Sequence, residues 1–291
     1  MRYEGPIYRP PSEADSLLIQ ATVGCPYNLC TFCLVYKGSV KFKVRPTAEI
    51  MADLEEARRV HGDRVRTLFL PAGNTIAMPT EALAQVCRRA RRLFPRLERL
   101  TVYGSSRYIY RKGPEQLRVL AEAGLSRLHV GLESGDDEVL ARIKKGATAP
   151  EQVAAGRMVR EAGIELNTYV MLGIGGQERT GPHARATAAA INEIRPEAVR
   201  LRTLVPKVRT PLLADVLEGR FQMLAPHQVL AETLALLKAI TVPTLIASDH
   251  YTNYLNVAGR LPQDRDAMLG ALEEALKRDE GTFRPFFIGT Q

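Results

Sequence analysis

Three cysteines fall within nine residues, Cys25-x4-Cys30-x2-Cys33, in the segment GCPYNLCTFC. Gly24 and Pro26 suit a tight turn around the first of them. Three thiolates on one tight loop can bind three irons of a cubane iron–sulfur cluster, for which four cysteines are the usual complement. The missing fourth thiolate leaves one iron open, and an open metal position is where a substrate or cofactor binds. Structural zinc would need four ligands, and no His or further Cys lies nearby. A two-cysteine redox pair would leave the third thiol unexplained. The remaining cysteine, Cys87, sits in a helical pattern beside Leu83 and Val86 and reads as a small core residue. Clustered thiols without widely spaced pairs point to metal ligation and away from a disulfide framework.

The elements that must position this loop are legible as a repeat. Six apolar, β-branched-rich runs recur at 16–22, 67–71, 99–103, 127–131, 166–173 and 198–205. Helical patterns separate them at 47–61, 80–94, 114–124, 150–163 and 181–194. Thr47 and Thr80, followed by Glu49 and Glu81, read as N-caps with a carboxylate in the first turn. Pro114 and Pro150 suit first helical turns, while Gly124 and Gly163 suit helix ends. Strands alternating with helices predict parallel pairing with right-handed crossovers. The expected fold class is α/β, a partial (β/α)6 TIM-like barrel over 16–206, with an N-terminal extension at 1–15. Residues 207–291 are expected to form a C-terminal extension closing the barrel, with a helix at 225–240, a strand at 244–248 and a helix at 263–279. Such folds place their sites at the carboxyl ends of the strands. The unusual residues fall there: CPYNLCTFC after the first strand, PAGN after the second, GSS after the third, LESG after the fourth and GIGGQ after the fifth.

The loop GCPYNLCTFC resembles the cluster loop of the radical S-adenosylmethionine superfamily, and VGLESGDDEVLARIKKG is similar to the stretch after the fourth strand in many of its members. Most members space the cysteines x3 then x2 with an aromatic before the last. Here Phe32 keeps the aromatic and the first gap is one residue longer. The resemblance covers roughly residues 16–206. It implies a [4Fe–4S] cluster on Cys25, Cys30 and Cys33 and S-adenosylmethionine chelating the open iron. It places Ala72, Gly73 and Asn74 near the cofactor's amino group, although the family often has two glycines and a glutamate there. Glu133 and Ser134 match the ribose position, with a Ser-Gly-Asp-Asp helix cap as the plainer alternative for Ser134. Lys145 matches the cation that pairs with the cofactor carboxylate, with Arg142 and Lys144 as neighbours. Gly173 in GIGGQ matches a glycine motif near adenine. Phe32, Leu172, Ile174, Leu204 and Val205, with Pro206, are candidates for the apolar adenine wall.

The activity implied is reductive cleavage of S-adenosylmethionine to methionine and a 5′-deoxyadenosyl radical that takes hydrogen from a substrate. The expected partners are a small-molecule substrate and an electron donor such as flavodoxin or ferredoxin. Substrate contacts are sought among Tyr103, Ser105, Ser106 and Arg107, and among Asp249, His250, Tyr251 and Asn253. Asp249 and His250 read either as an acid–base pair or as a hydrogen-bonded structural corner. Other readings remain: an RNA-modifying radical enzyme, cleavage at another carbon–sulfur bond, or a non-catalytic cluster- or haem-handling protein.

Composition bounds these readings. The chain has 291 residues, 45% hydrophobic and 25% charged, which is ordinary for a globular protein. The net charge of +8 is spread along the chain, so it does not by itself indicate nucleic acid. Four cysteines leave none for an auxiliary cluster. No cobalamin-binding domain is expected before residue 16. No RNA-binding module is read after residue 280, which disfavours tRNA methylthio-transfer. The chain has no apolar run long enough for a membrane span and no apolar signal core, so the expected location is the cytoplasm.

Overall fold

The computed structural model describes residues 1–37 and 40–290. The chain forms two compact units. The first comprises Met1–Asn28, Val35–Val130 and Met158–Leu166; the second comprises Leu29–Leu34, Gly131–Arg157 and the chain from Asn167. The boundaries between the units fall after residues 28, 34, 130, 157 and 166.

In the first unit the elements are β1 (Leu17–Leu18), β2 (Thr22–Val23), β3 (Lys43–Val44), α1 (Thr47–His61), β4 (Thr67–Leu70), α2 (Thr80–Leu93), β5 (Arg99–Gly104), α3 (Ser106–Glu122) and the start of β6 (Arg127–Glu133). Strands β1, β4, β5 and β6 lie side by side in that order, all parallel. The helices pack by their apolar stripes: α2 buries Leu83, Val86, Cys87 and Ala90, spaced three and four apart. The expected first strand over 16–22 is split in two. Leu17 and Leu18 pair with Leu68 and Phe69, whereas Thr22 and Val23 turn to pair antiparallel with β3. Between them the Gln20 amide exchanges two hydrogen bonds with the Glu4 backbone, so the N-terminal segment occupies the edge there.

The expected caps on α1 and α2 shift by one residue. Pro46 and Pro79 are the N-caps, Thr47 and Thr80 are already helical, and neither cap residue makes a side-chain hydrogen bond. Thr80 instead bonds Gln116 at 2.6 Å. The helix expected from residue 114 begins at Ser106 and contains a break at Gly113 (φ 72°, ψ 174°), after which Pro114 starts the second segment. Gly124 and Gly163 end their helices with φ of 103° and 77°, as expected.

The second unit contains α4 (Asp137–Arg142), most of α5 (Ala149–Glu161), most of β7 (Glu165–Leu172), α6 (Gly176–Ile194), β8 (Ala198–Thr203), α7 (Pro211–Leu217), α8 (Pro226–Ala239), β9 (Thr244–Ala247), β10 (Gly259–Leu261) and α9 (Arg265–Ala275). Its strands run β7, β8, β9, β10 in order; β10 alone is antiparallel. The segment after residue 207 thus continues the strand order of the core. Helix α6 begins at Gly176, five residues before the expected start.

A buried carboxylate ties the N-terminal segment to the amino ends of the strands. Glu13 accepts hydrogen bonds from Ser16 (2.6 Å) and Thr101 (3.1 Å), bonds His129 Nε2 (3.2 Å) and pairs with Arg99 and Arg127. Burial alone would raise its pKa, but the bonds from His129 and Ser16 and the Arg99 charge hold it at about 2 against an ordinary 4.5. A depressed carboxylate stabilises the fold above its unfolded pKa and loses that contribution as pH falls toward 2. The shift corresponds to roughly 3 kcal/mol. Urea unfolding between pH 6 and pH 2.5 is expected to show a steeper acid loss for the native protein than for Glu13→Gln. Equal acid slopes for the two proteins would remove Glu13 from this role.

Candidate active site

The first unit contributes the loop after β4 and the start of the cysteine loop. Ala72 lies in the left-handed region (φ 88°) although it is not glycine, and it is buried. Such strain persists only where the surroundings enforce it, and it concentrates at functional sites. At Gly73 a Cβ would stand 2.4 Å from the Tyr36 ring and 3.1 Å from Cys25 Cβ, so only glycine lets the cysteine loop close onto this turn. Asn74 is buried and locked to Ser105: its Nδ2 donates to Ser105 Oγ (3.0 Å) and its Oδ1 accepts from Ser105 N–H (3.1 Å). Asn28 (φ 47°) turns the cysteine loop and donates to the Tyr36 carbonyl at 2.7 Å. Of the residues sought as substrate contacts, Tyr103 packs edge-on to Phe69 and Arg107 lies 5.1 Å from the Tyr27 ring.

The second unit carries Cys30 and Cys33. Thr31 between them is pinned by its N–H to the Ile143 carbonyl (2.9 Å) and by its carbonyl to Leu212 N–H (3.1 Å). At the end of β6, Glu133 is left-handed (φ 63°) and its carboxylate pairs with Lys145 at 3.2 Å, both side chains nearly buried. A Cβ at Gly131 would meet Glu133 Oε1 at 2.2 Å and Lys145 Nζ at 3.0 Å, so glycine makes room for the pair. Burial would lower the Lys145 pKa, but Glu133, Cys30 and Cys33 together raise it, so the ammonium stays charged beside the two thiols. Its Nζ lies 6.0 Å from the Phe32 ring centroid. Phe32 packs on an apolar group that includes Ile143, Ile174, Leu204 and Phe221. Three of the expected adenine-wall residues thus meet. Leu172 and Val205 are buried as well. Among the neighbours of Lys145, Arg142 turns away over the Phe221 ring (4.8 Å).

All four cysteines are thiols, and Cys25, Cys30 and Cys33 are half-buried. Cys87 is fully buried in α2 and its pKa is pushed up to about 12 by burial, as befits a core thiol. Among the described residues no three His, Cys, Asp or Glu side chains are gathered as a metal cage. The donor set of the loop, three thiols closely spaced in sequence, is nonetheless that of iron–sulfur ligation, and ligand loops commonly order on metal binding.

Asp249 pairs with Arg200, while His250 bonds Thr252 Oγ1 at 2.7 Å. The two side chains have different hydrogen-bond partners. Burial, then the charges of Arg202, Lys207 and Arg200, lower His250 to about 4, so it is neutral at pH 7. Asn253 is likewise spent internally, on Thr203, Leu201 and Ser248. Ser134 is buried; its hydroxyl bonds His183 Nδ1 (2.8 Å) and accepts from Asp136 N–H (3.0 Å).

One group escaped the sequence reading. Glu232 of α8 is buried and accepts hydrogen bonds from Gly173 N–H (2.7 Å) and Thr180 Oγ1 (2.6 Å). Its signal was a carboxylate on the buried stripe of Val229, Thr233 and Leu236.

Residues 19–180 match the model of the radical SAM superfamily, and the chain belongs to that superfamily. It is an α/β protein with the partial TIM-like barrel fold of this class, whose enzymes use a [4Fe–4S] cluster and S-adenosylmethionine. It is 29% identical over 257 residues to a tRNA-2-methylthio-N(6)-dimethylallyladenosine synthase of Sorangium cellulosum, covering 75% of this chain and 49% of the relative. It is 27% identical over 176 residues to a biotin synthase of a Cyanothece species, covering 55% of this chain and 46% of the relative. The chain thus spans about half the length of the curated relatives it matches. In fold it is similar to the radical S-adenosylmethionine methyltransferase TsrM of Kitasatospora setae, a structure with cobalamin and a [4Fe–4S] cluster bound. The TM-score is 0.57 at 22% identity, over 70% of this chain and 39% of that one. Among the described residues no helix is long and apolar enough to cross a membrane.

Proposed function

We propose that Cys25, Cys30 and Cys33 hold the cluster and that this radical SAM enzyme acts on a small-molecule substrate. The observation that carries the reading is the Glu133–Lys145 pair, held at 3.2 Å with its ammonium in the field of Cys30 and Cys33. An ammonium suits the cofactor's carboxylate, and a carboxylate suits ribose hydroxyls. Phe32 and Ile174 suit the apolar face of an adenine. When bound, the cluster supplies the electron that splits S-adenosylmethionine into methionine and a hydrogen-abstracting 5′-deoxyadenosyl radical. Enzymes of this superfamily need an electron donor; a flavodoxin or ferredoxin is the proposed one.

The test is to reconstitute the protein anaerobically, reduce it, add S-adenosylmethionine and separate the nucleosides by chromatography. Slow formation of 5′-deoxyadenosine is the expected result. 5′-Methylthioadenosine in its place would overturn the radical mechanism, and no cleavage by a fully loaded, reduced cluster would favour a non-catalytic role. RNA modification is the second reading, favoured by the 29% identity to a tRNA-modifying relative and by the net charge of +8. RNA binding that falls steeply with salt would support it over a small-molecule substrate.

A further inference from the structure

The family-matched region ends at residue 180, yet a carboxylate 52 residues further on reaches the glycine turn after β7. Gly173 is left-handed (φ 79°), and its N–H points to Glu232 Oε1 at 2.7 Å. Thr180, in the first turns of α6, donates to the other oxygen at 2.6 Å. One buried carboxylate therefore closes a ring between the turn and the helix that follows it. His183 stands 3.6 Å from Glu232 Oε1 and bonds Ser134 Oγ on its other nitrogen, at 2.8 Å. Ser134 directly follows Glu133. The chain of contacts thus runs from the turn after β7 to the turn after β6.

We infer that Glu232 is a positioning residue: it fixes the Gly173–Gly176 turn in the shape that receives the adenosyl group, and it couples that turn through His183 and Ser134 to Glu133. The functional part rests on the reading of this turn as adenosyl-facing. A left-handed glycine turn has little intrinsic preference for one shape, because glycine populates many. A buried N–H without a partner is costly, so the Glu232 acceptor selects the shape in which Gly173 N–H is satisfied. Burial raises Glu232 to about 7 and lowers His183 to about 4, each shift disfavouring the charged form in the interior.

The test uses cluster-loaded protein and two readouts, hydrogen–deuterium exchange of residues 171–177 and calorimetric affinity for S-adenosylmethionine. In Glu232→Ala the exchange of this segment should quicken at least tenfold and the affinity fall roughly ten- to a hundredfold, with iron content unchanged. Glu232→Gln keeps an oxygen for Gly173 N–H and should stay within about threefold of the native protein on both readouts. Thr180→Val, a mild change, should quicken exchange in the same segment and so serves if the alanine variant fails to fold. Native exchange in both Glu232→Ala and Thr180→Val would overturn the inference. So would equal losses in the glutamine and alanine variants, or a quickening spread evenly over the chain. If the native protein binds no S-adenosylmethionine, the functional reading falls, and the exchange measurement still decides whether Glu232 sets the turn.

Discussion

Cys25→Ala, Cys30→Ala and Cys33→Ala are each expected to abolish cluster assembly and all cleavage of S-adenosylmethionine, while Cys87→Ala keeps both. Metal ligation takes the thiolate. With its pKa pushed up to about 12 by complete burial, Cys87 would be deprotonated in only about one molecule in 10⁵ at pH 7. It also lies within the apolar stripe of α2, where neither iron nor sulfide could enter without opening the core. The other three are half-buried, on a loop pinned at Thr31 and closed against Gly73. Removing one of three ligands leaves two irons held, too few for a cubane whose fourth corner is already open. Iron and sulfide analysis after anaerobic reconstitution checks this, with about four of each expected for native protein and for Cys87→Ala. If Cys87→Ala lost its iron as completely as the others, Cys87 would be a ligand and no iron would be open.

Much of this arrangement was readable because its signals are local. The repeat of apolar runs and helical patterns marks the strands after which the candidate residues fall, and the cysteine spacing marks the loop. Gly73, Glu133 and Lys145 stood out because the resemblance to the superfamily matches them to segments after particular strands. Glu232 did not, because its role depends on a contact 59 residues away in sequence, from α8 to Gly173. The hydrogen-bond partners of His250 and Asp249 were hidden for a related reason. Asp249 pairs with Arg200 of β8, 49 residues away in sequence. The split of the 16–22 run has the same origin: its periodicity is uniform, and only the docking of Glu4 on Gln20 interrupts it. Local pattern fixed what local geometry decides, and long-range partners decided the rest.

The second large effect concerns Glu133 and Lys145, whose stability and binding roles separate in a double-mutant cycle. Both side chains are nearly buried and 3.2 Å apart, so each is the other's main compensation. Removing one leaves a buried charge unpaired, which costs about 3 kcal/mol. Lys145→Met and Glu133→Gln are each expected to lower the unfolding free energy of cluster-free protein, by about 3 and about 2 kcal/mol respectively, because the amide oxygen still accepts from the ammonium. The double variant Lys145→Met/Glu133→Gln should recover much of the loss, since no unpaired charge remains. Affinity for S-adenosylmethionine should show no such recovery. If Lys145 takes the carboxylate and Glu133 the ribose hydroxyls, each single variant loses one charge-assisted contact, worth roughly ten- to a hundredfold. The double variant then loses both. Denaturant unfolding measures the first set of values and calorimetry on cluster-loaded protein the second. Near-native affinity in the double variant would show that the pair is a structural brace and that the cofactor is held elsewhere. The present assignment predicts the reverse, because the groups that stabilise each other in the empty protein are the ones the cofactor must engage.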